Sequence, residues 1–252
     1  MTKFVHLEEQ KFDTEEPANV LIFGGAGSGK TTFVSTAAKT QGPLVIFDFD
    51  GKLKCIRGVP NIYAIEYRID DPKLVSKAFH AFRKDFADFA SGKLCTPDGT
   101  PFRSGCLDSA TSFDLLVLHH FIKLSGKNID LGQYATLPTF QDCASYYKSW
   151  LVQVGSIRDR WFFCTAHETM RETETEGVFK IQPMLGGPKT YEKLPSIFGE
   201  VWVMERKGDG TVCLKIHGTG KHVSNSMLFR AKKEIKNPTF EKVMEEARKI
   251  ER

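Results

Sequence analysis

The sequence predicts an α/β fold, a mainly parallel central sheet flanked by helices, with a C-terminal β-hairpin and helix. Three observations carry this expectation. Short apolar runs suited to buried strands, Val20-Leu21-Ile22-Phe23, Leu44-Val45-Ile46-Phe47 and Trp161 to Ala166, alternate with stretches of helical periodicity. Between the first two runs lie a glycine-rich turn and a segment free of Gly and Pro, Lys30 to Lys39, so strand, helix and strand imply a right-handed parallel crossover. Near the C-terminus, Val201 to Met204 and Thr211 to Ile216 flank Gly208-Asp209-Gly210, a hairpin signal.

Taken in order, residues 1–17 are a polar lead-in and residues 18–252 read as one domain, with no repeat or composition break inside it. The helix after the first strand stops at Gln41-Gly42-Pro43, a glycine for the cap and a proline that cannot continue it. The second strand ends at Asp48-Phe49-Asp50-Gly51. From Asp71 to Gly92 the pattern is helical, and its stripe of Leu74, Ala78, Phe82, Phe86 and Phe89 reads as core. Thr96 to Ser104 is turn-rich. Cys106-Leu107-Asp108-Ser109 is a weak strand end leading into a helix over Phe113 to Leu124, and a second helix runs from Thr139 through Asp159. The third strong strand ends at His167-Glu168, and Thr169 to Pro188 reads as a mobile loop or exposed hairpin. A final amphipathic helix starts near Thr239.

Composition narrows the class. With 252 residues, 41% of them apolar and 12% aromatic, the chain can bury a sizeable core. No run approaches the ~18 apolar residues of a membrane span, and the N-terminus is too polar for a signal segment, so the expectation is a cytoplasmic protein with no membrane partner. The six scattered cysteines show no metal spacing and read as reduced thiols. A net charge of +4 permits nucleic acid without demanding it. His119 and His120 lie in a helical apolar pattern and are assigned no function.

The chemistry centres on Gly24-Gly25-Ala26-Gly27-Ser28-Gly29-Lys30-Thr31, a full G-x-x-x-x-G-K-[ST] loop between strand and helix. Glycines there let successive backbone N–H groups approach a phosphate chain closely. Lys30 supplies a point charge for β- and γ-phosphates, and the Thr31 hydroxyl is placed to ligate Mg²⁺, with Thr32 completing the segment. ATP and Mg²⁺ are therefore the expected ligands. Such a site needs carboxylates, one for the metal and commonly one for the attacking water. By hydrophobicity Val45-Ile46-Phe47-Asp48 is the better metal-binding strand, while Asp108 ends a weaker one. Asp50 also reads as a residue of the turn at Gly51, and Asp108 as a helix N-cap.

The ordered set of the glycine loop, Phe47-Asp48-Phe49-Asp50-Gly51, Leu107-Asp108-Ser109, Thr165-Ala166-His167-Glu168 and Pro-Met-Leu-Gly-Gly-Pro before Phe198-Gly199-Glu200-Val201 resembles phage-type RecA-like P-loop proteins, a family that includes single-strand annealing recombinases. The resemblance spans about Ala18 to Met204. It implies a RecA-like ATPase domain over 18–252, with Asp108 on the metal, Asp50 orienting water, and His167 as a sensor near the γ-phosphate. Asp50 stands where Glu is typical. The paired basic motif that such proteins place in a late strand is replaced around Asn225 and Met227, leaving Lys215, Lys221 or Arg230 as substitutes.

The resemblance further implies a DNA-stimulated ATPase acting on single-stranded DNA in phage recombination or replication, in the cytoplasm of a bacterial host. Lys123, Lys127, Arg171, Lys180 and Lys189 are the expected phosphate contacts and Tyr134 the stacking residue. Self-association into a ring or filament and a phage single-strand-binding protein are the expected partners. A DNA-translocating or packaging motor and a weakly hydrolysing nucleotide-gated switch use the same loop and stay open as alternatives.

Overall fold

Strands that are apolar at every position need cover on both faces. A computed structural model, which describes residues 16–67, 71, 73–127, 135–172, 175, 177–185, 197–216, 222–229 and 234–249, shows that cover. The elements are β1 (Asn19–Phe23), α1 (Lys30–Ser35), α2 (Ala38–Gln41), β2 (Leu44–Asp48), a short 3-10 turn (Leu53–Ile56), β3 (Ile62–Glu66), α3 (Val75–Ala90), β4 (Ser104–Asp108), α4 (Ala110–Leu124), α5 (Leu137–Ser156), β5 (Trp161–Ala166), β6 (Glu168–Glu172), β7 (Phe179–Pro183), β8 (Glu200–Arg206), β9 (Val212–Lys215), β10 (Asn225–Ser226), β11 (Glu234–Lys236) and α6 (Phe240–Arg248).

The main sheet runs β11-β9-β8-β1-β5-β4-β2-β3, with β10 on β8. From β8 through β3 every pairing is parallel, and β9, β10 and β11 join antiparallel. Alternation along each strand splits the core in two. Leu21, Phe23, Val45 and Phe47 face α3, α4 and α5 through Phe82, Phe86, Phe113 and Trp150. Val20, Ile22, Leu44 and Ile46 face α1 and α6 through Phe33, Phe240 and Val243. The mainly parallel α/β sheet, the β8–β9 hairpin and the terminal helix agree with the sequence expectation.

Several local expectations change. The helix expected over Lys30 to Lys39 breaks after Ser35, because Thr36 and Ala37 close tight i→i+3 bonds to Phe33 and Val34. The Thr36 hydroxyl there accepts the Phe240 N–H at 2.7 Å and so docks the last helix. The strand expected weakly at Cys106 begins at Ser104 and lies in mid-sheet, fully buried. Gly105 is small for a reason: a Cβ there would meet the Phe89 ring at 2.5 Å. Leu74, expected in the core stripe, is exposed just ahead of α3. Thr169 to Pro183 forms an antiparallel hairpin, β6–β7, with Gly186, Gly187 and Pro188 outside the described residues. Edge strand β3 and the short β10 and β11 had no sequence expectation. Cys106, Cys143, Cys164 and Cys213 are buried free thiols, as the scattered spacing implied. His120 stacks on Phe79 at 3.9 Å, a packing role.

Candidate nucleotide site

The site starts where β1 leaves the sheet. A Cβ on Gly24 would lie 2.0 Å from the Met204 carbonyl oxygen of β8, so only glycine lets the turn start against the neighbouring backbone. Gly27 and Gly29 hold φ of 70° and 94°, left-handed conformations that suit glycine. Lys30 is buried, and its Nζ donates to the carbonyls of Gly24 and Gly25, both at 2.9 Å, and to Ser28 Oγ at 3.3 Å. Burial pushes the Lys30 pKa down, opposed by the nearby carboxylates of Asp108, Glu168 and Asp50.

Strand order brings the acids in. Asp108 ends β4, two strands from β1, with β5 between. Its carboxylate accepts Thr31 Oγ1 at 2.8 Å and the Thr165 hydroxyl of β5, so one buried group touches the start of α1 and the intervening strand. Burial raises the Asp108 pKa against those two hydrogen bonds. The competing carboxylate, Asp48, is level with Asp108 across β2–β4 but points into its own turn, accepting Asp50 N at 3.0 Å and Gly51 N at 2.8 Å. Burial also raises Asp48. Asp50 reaches α4 instead, accepting the hydroxyls of Ser109, at 3.3 Å, and Ser112. The N-cap of α4 is Ser109, not Asp108, since its side chain accepts Ser112 N.

His167 continues β5 and lines the same cavity, of about 380 Å³, with the segment Ala26 to Thr32, Asp50 and Asp108. That volume falls in the range of small-molecule sites. Burial first, then the Lys30 charge, lowers the His167 pKa. Its backbone N–H donates to Thr111 Oγ1 at 3.0 Å, and the same hydroxyl donates to Met184 O at 3.1 Å. Thr111 thus ties the first turn of α4 to both ends of the β6–β7 hairpin. Lys52 and Arg206 also line the cavity; Arg206 Nε donates to Gly27 O at 2.9 Å and Nη1 to Gly210 O at 3.3 Å. Sequence reasoning missed Lys52, Thr111 and Arg206, none of which belongs to a motif, and gave Glu168 no role although it ends the Thr165-Ala166-His167-Glu168 landmark.

With this geometry in view, the comparison with family models is decisive: residues 16–234 match a model described as an AAA domain. The chain belongs to that AAA domain family. No curated protein matches it. Family membership makes it a P-loop NTPase domain, a nucleotide-binding ATPase type. Among the described residues no helix of this AAA domain is long and apolar enough to cross a membrane. Among the same residues no cluster of three or more His, Cys, Asp or Glu forms a self-sufficient metal cage.

The basic residues expected at DNA divide into separate places on the AAA domain. Lys123 and Lys127 lie at the end of α4 away from Asp108, where Lys123 Nζ donates to Lys73 O at 3.3 Å. Arg171 and Lys180 are directly opposite each other across β6–β7. Lys189, Tyr134, Lys221 and Arg230 lie outside the described residues. Lys215 is ion-paired to Glu205 across β8–β9.

Proposed function

We propose that this AAA domain is a Mg²⁺-dependent ATPase of RecA-like type that acts on single-stranded DNA in phage recombination or replication. One observation carries the reading. The turn that holds Asp50, Ser109 to Ser112, also holds the base of the β6–β7 hairpin through Thr111, so phosphate chemistry and hairpin share one element.

In this reading the loop amides and Lys30 take the β- and γ-phosphates. The donor set at Thr31 and Asp108, a hydroxyl and a carboxylate, is hard oxygen and suits Mg²⁺, whose remaining ligands would be phosphate and water. Mg²⁺ when bound supplies charge neutralisation on the phosphates. Asp50 orients the attacking water, and His167, whose N–H is fixed by Thr111, senses the terminal phosphate and passes its state to the hairpin. In this reading Arg171 and Lys180, opposite one another across β6–β7, contact the phosphates of the strand. Exposed Phe179 on the same hairpin offers a ring for base stacking. Self-association into a ring or filament belongs to the same proposal.

A second reading, a slowly hydrolysing nucleotide-gated switch, is favoured by Asp50 being held by two serine hydroxyls. ATP turnover measured alone, with single-stranded DNA and with duplex separates the readings. The ATPase reading expects single strands to stimulate most; turnover indifferent to either polymer contradicts it. Arg171→Glu with Lys180→Glu is expected to weaken single-strand binding and to flatten the slope of log K against log salt by about 1.4, for two lost phosphate contacts.

A further inference from the structure

The sequence and its resemblance put one acid, Asp50, at the attacking water. The structure holds a second carboxylate at the same lysine. Strands β1 and β5 run in parallel register up to Phe23 and Ala166, and Gly24 N donates to Ala166 O at 3.3 Å, so β5 leaves the sheet alongside the glycine loop. Two residues later Glu168 turns its side chain onto that loop: Oε1 lies 3.5 Å from where a Cβ on Gly25 would stand. Gly25 is one of the two residues whose carbonyls hold Lys30 Nζ. Among the described residues the Glu168 carboxylate makes no hydrogen bond or ion pair, whereas Asp50 is occupied by Ser109 and Ser112 and Asp108 by Thr31 and Thr165.

We propose that Glu168 is the carboxylate that accepts the proton of the attacking water in ATP hydrolysis, with Asp50 fixing where that water sits. The inference rests on the ATPase reading above. In the step, the water oxygen forms a bond to the γ-phosphorus and the bond from that phosphorus to the β,γ-bridging oxygen breaks. The electron pair leaves with ADP, and the water proton passes to Glu168, from which it is released to solvent or to the inorganic phosphate. A positioned Asp or Glu carboxylate is among the side chains that take a proton from a reacting group in the transition state. Its position gives a further property. Glu168 is the first residue of β6, opposite Pro183 of β7, so movement of the hairpin carries the proton acceptor with it. A polymer held on the hairpin would thereby set the turnover rate.

Glu168 acts on Lys30 of the loop together with Asp108 at the end of β4 and Asp50 after β2, and His167, Arg171 and Glu172 are the charged and titratable groups on its own stretch of chain. The test compares wild type with Glu168→Gln, Glu168→Asp and Asp50→Asn, measuring ATP affinity, kcat and the pH profile of kcat. The expected result for Glu168→Gln is a fall in kcat of about 100-fold or more, the usual share of a general base, with ATP affinity retained and the acid limb of the pH profile lost. Glu168→Asp recovers part of the rate and the limb, and Asp50→Asn slows the reaction while keeping the limb. A Glu168→Gln protein that retains most of its turnover and its acid limb overturns the proposal. So does a wild-type protein that binds ATP and never hydrolyses it, although nucleotide binding then stands. Wild type that fails to bind ATP overturns the ATPase reading itself.

Discussion

Replacing Thr111 by Val isolates the link between the phosphate site and the hairpin. Valine keeps the β-branched shape and leaves α4 its residue count and packing, but it removes one hydroxyl that accepts His167 N at 3.0 Å and donates to Met184 O at 3.1 Å. A hydrogen bond contributes about 0.5–1.5 kcal/mol net, so two are worth about 1–3 kcal/mol. Thr111 is half-buried and water can replace part of the loss, which brings the expectation to the lower part of that range, about 1–2 kcal/mol, or a factor of about 5–30 in the opening equilibrium of the hairpin base. Native-state hydrogen exchange reads this directly at the amides of His167 and Met184. The expected outcome is exchange faster by that factor across β6 and β7, with β1, β4 and β5 unchanged, basal ATP turnover little altered and stimulation by single-stranded DNA strongly reduced. Unchanged exchange in the hairpin, or faster exchange accompanied by full stimulation, would refute the idea that this hydroxyl couples the two.

Further predictions concern stability and metal. Gly105→Ala places a methyl group where the Phe89 ring stands 2.5 Å away, and the overpacking is expected to cost about 1–3 kcal/mol; thermal unfolding should fall by several degrees while ATP affinity is kept. Asp108→Asn should weaken Mg²⁺ stimulation of nucleotide binding by roughly 10- to 100-fold, the scale of disturbing a metal's surroundings. The same variant tests the Asp108 titration. Burial raises this carboxyl's folded pKa above the ordinary aspartate value, so its contribution to stability is fully present below that ordinary value and is lost as pH rises through the folded pKa. An asparagine is neutral throughout, so Asp108→Asn should gain melting temperature over wild type at neutral pH and lose that advantage in acid; an equal difference at both would argue against a raised pKa.

The parts of the fold that could be read in the sequence are those where one residue property decides the local structure. β1, β2 and β5 are covered on both faces and therefore apolar at all positions but Asn19, Asp48 and Thr165, and the glycine loop follows β1 because backbone must pass within contact of Met204 and bend through left-handed angles. β4 was half hidden because its Gly105 serves a ring from α3, a demand set by a residue 16 positions earlier in the chain, Phe89. β3 alternates half-buried and exposed residues at the sheet edge, and β11 is three residues long, so neither makes a run that stands out. At the site, Lys30 and Thr31 were legible from spacing. Asp108 could not be chosen over Asp48 by hydrophobicity; the strand order β1-β5-β4-β2 separates them, turning Asp48 into its own backbone and Asp108 onto Thr31. Thr111 and Arg206 reach the hairpin base or the loop through pairings across long stretches of chain, and no local pattern marks them; Glu168 stands in the Thr165-Ala166-His167-Glu168 segment, but its approach to Gly25 depends on the β1–β5 pairing.

The central claim is that the loop closed by Lys30, Thr31 and Asp108 is a Mg²⁺-ATPase site that answers to single-stranded DNA. The most direct measurement is steady-state ATP turnover by wild type and Lys30→Ala, each with and without Mg²⁺ and with and without single-stranded DNA. The account predicts Mg²⁺-dependent turnover in wild type that rises with single-stranded DNA, and its loss in Lys30→Ala under every condition. Turnover that survives in Lys30→Ala, or that needs no divalent metal, would contradict it.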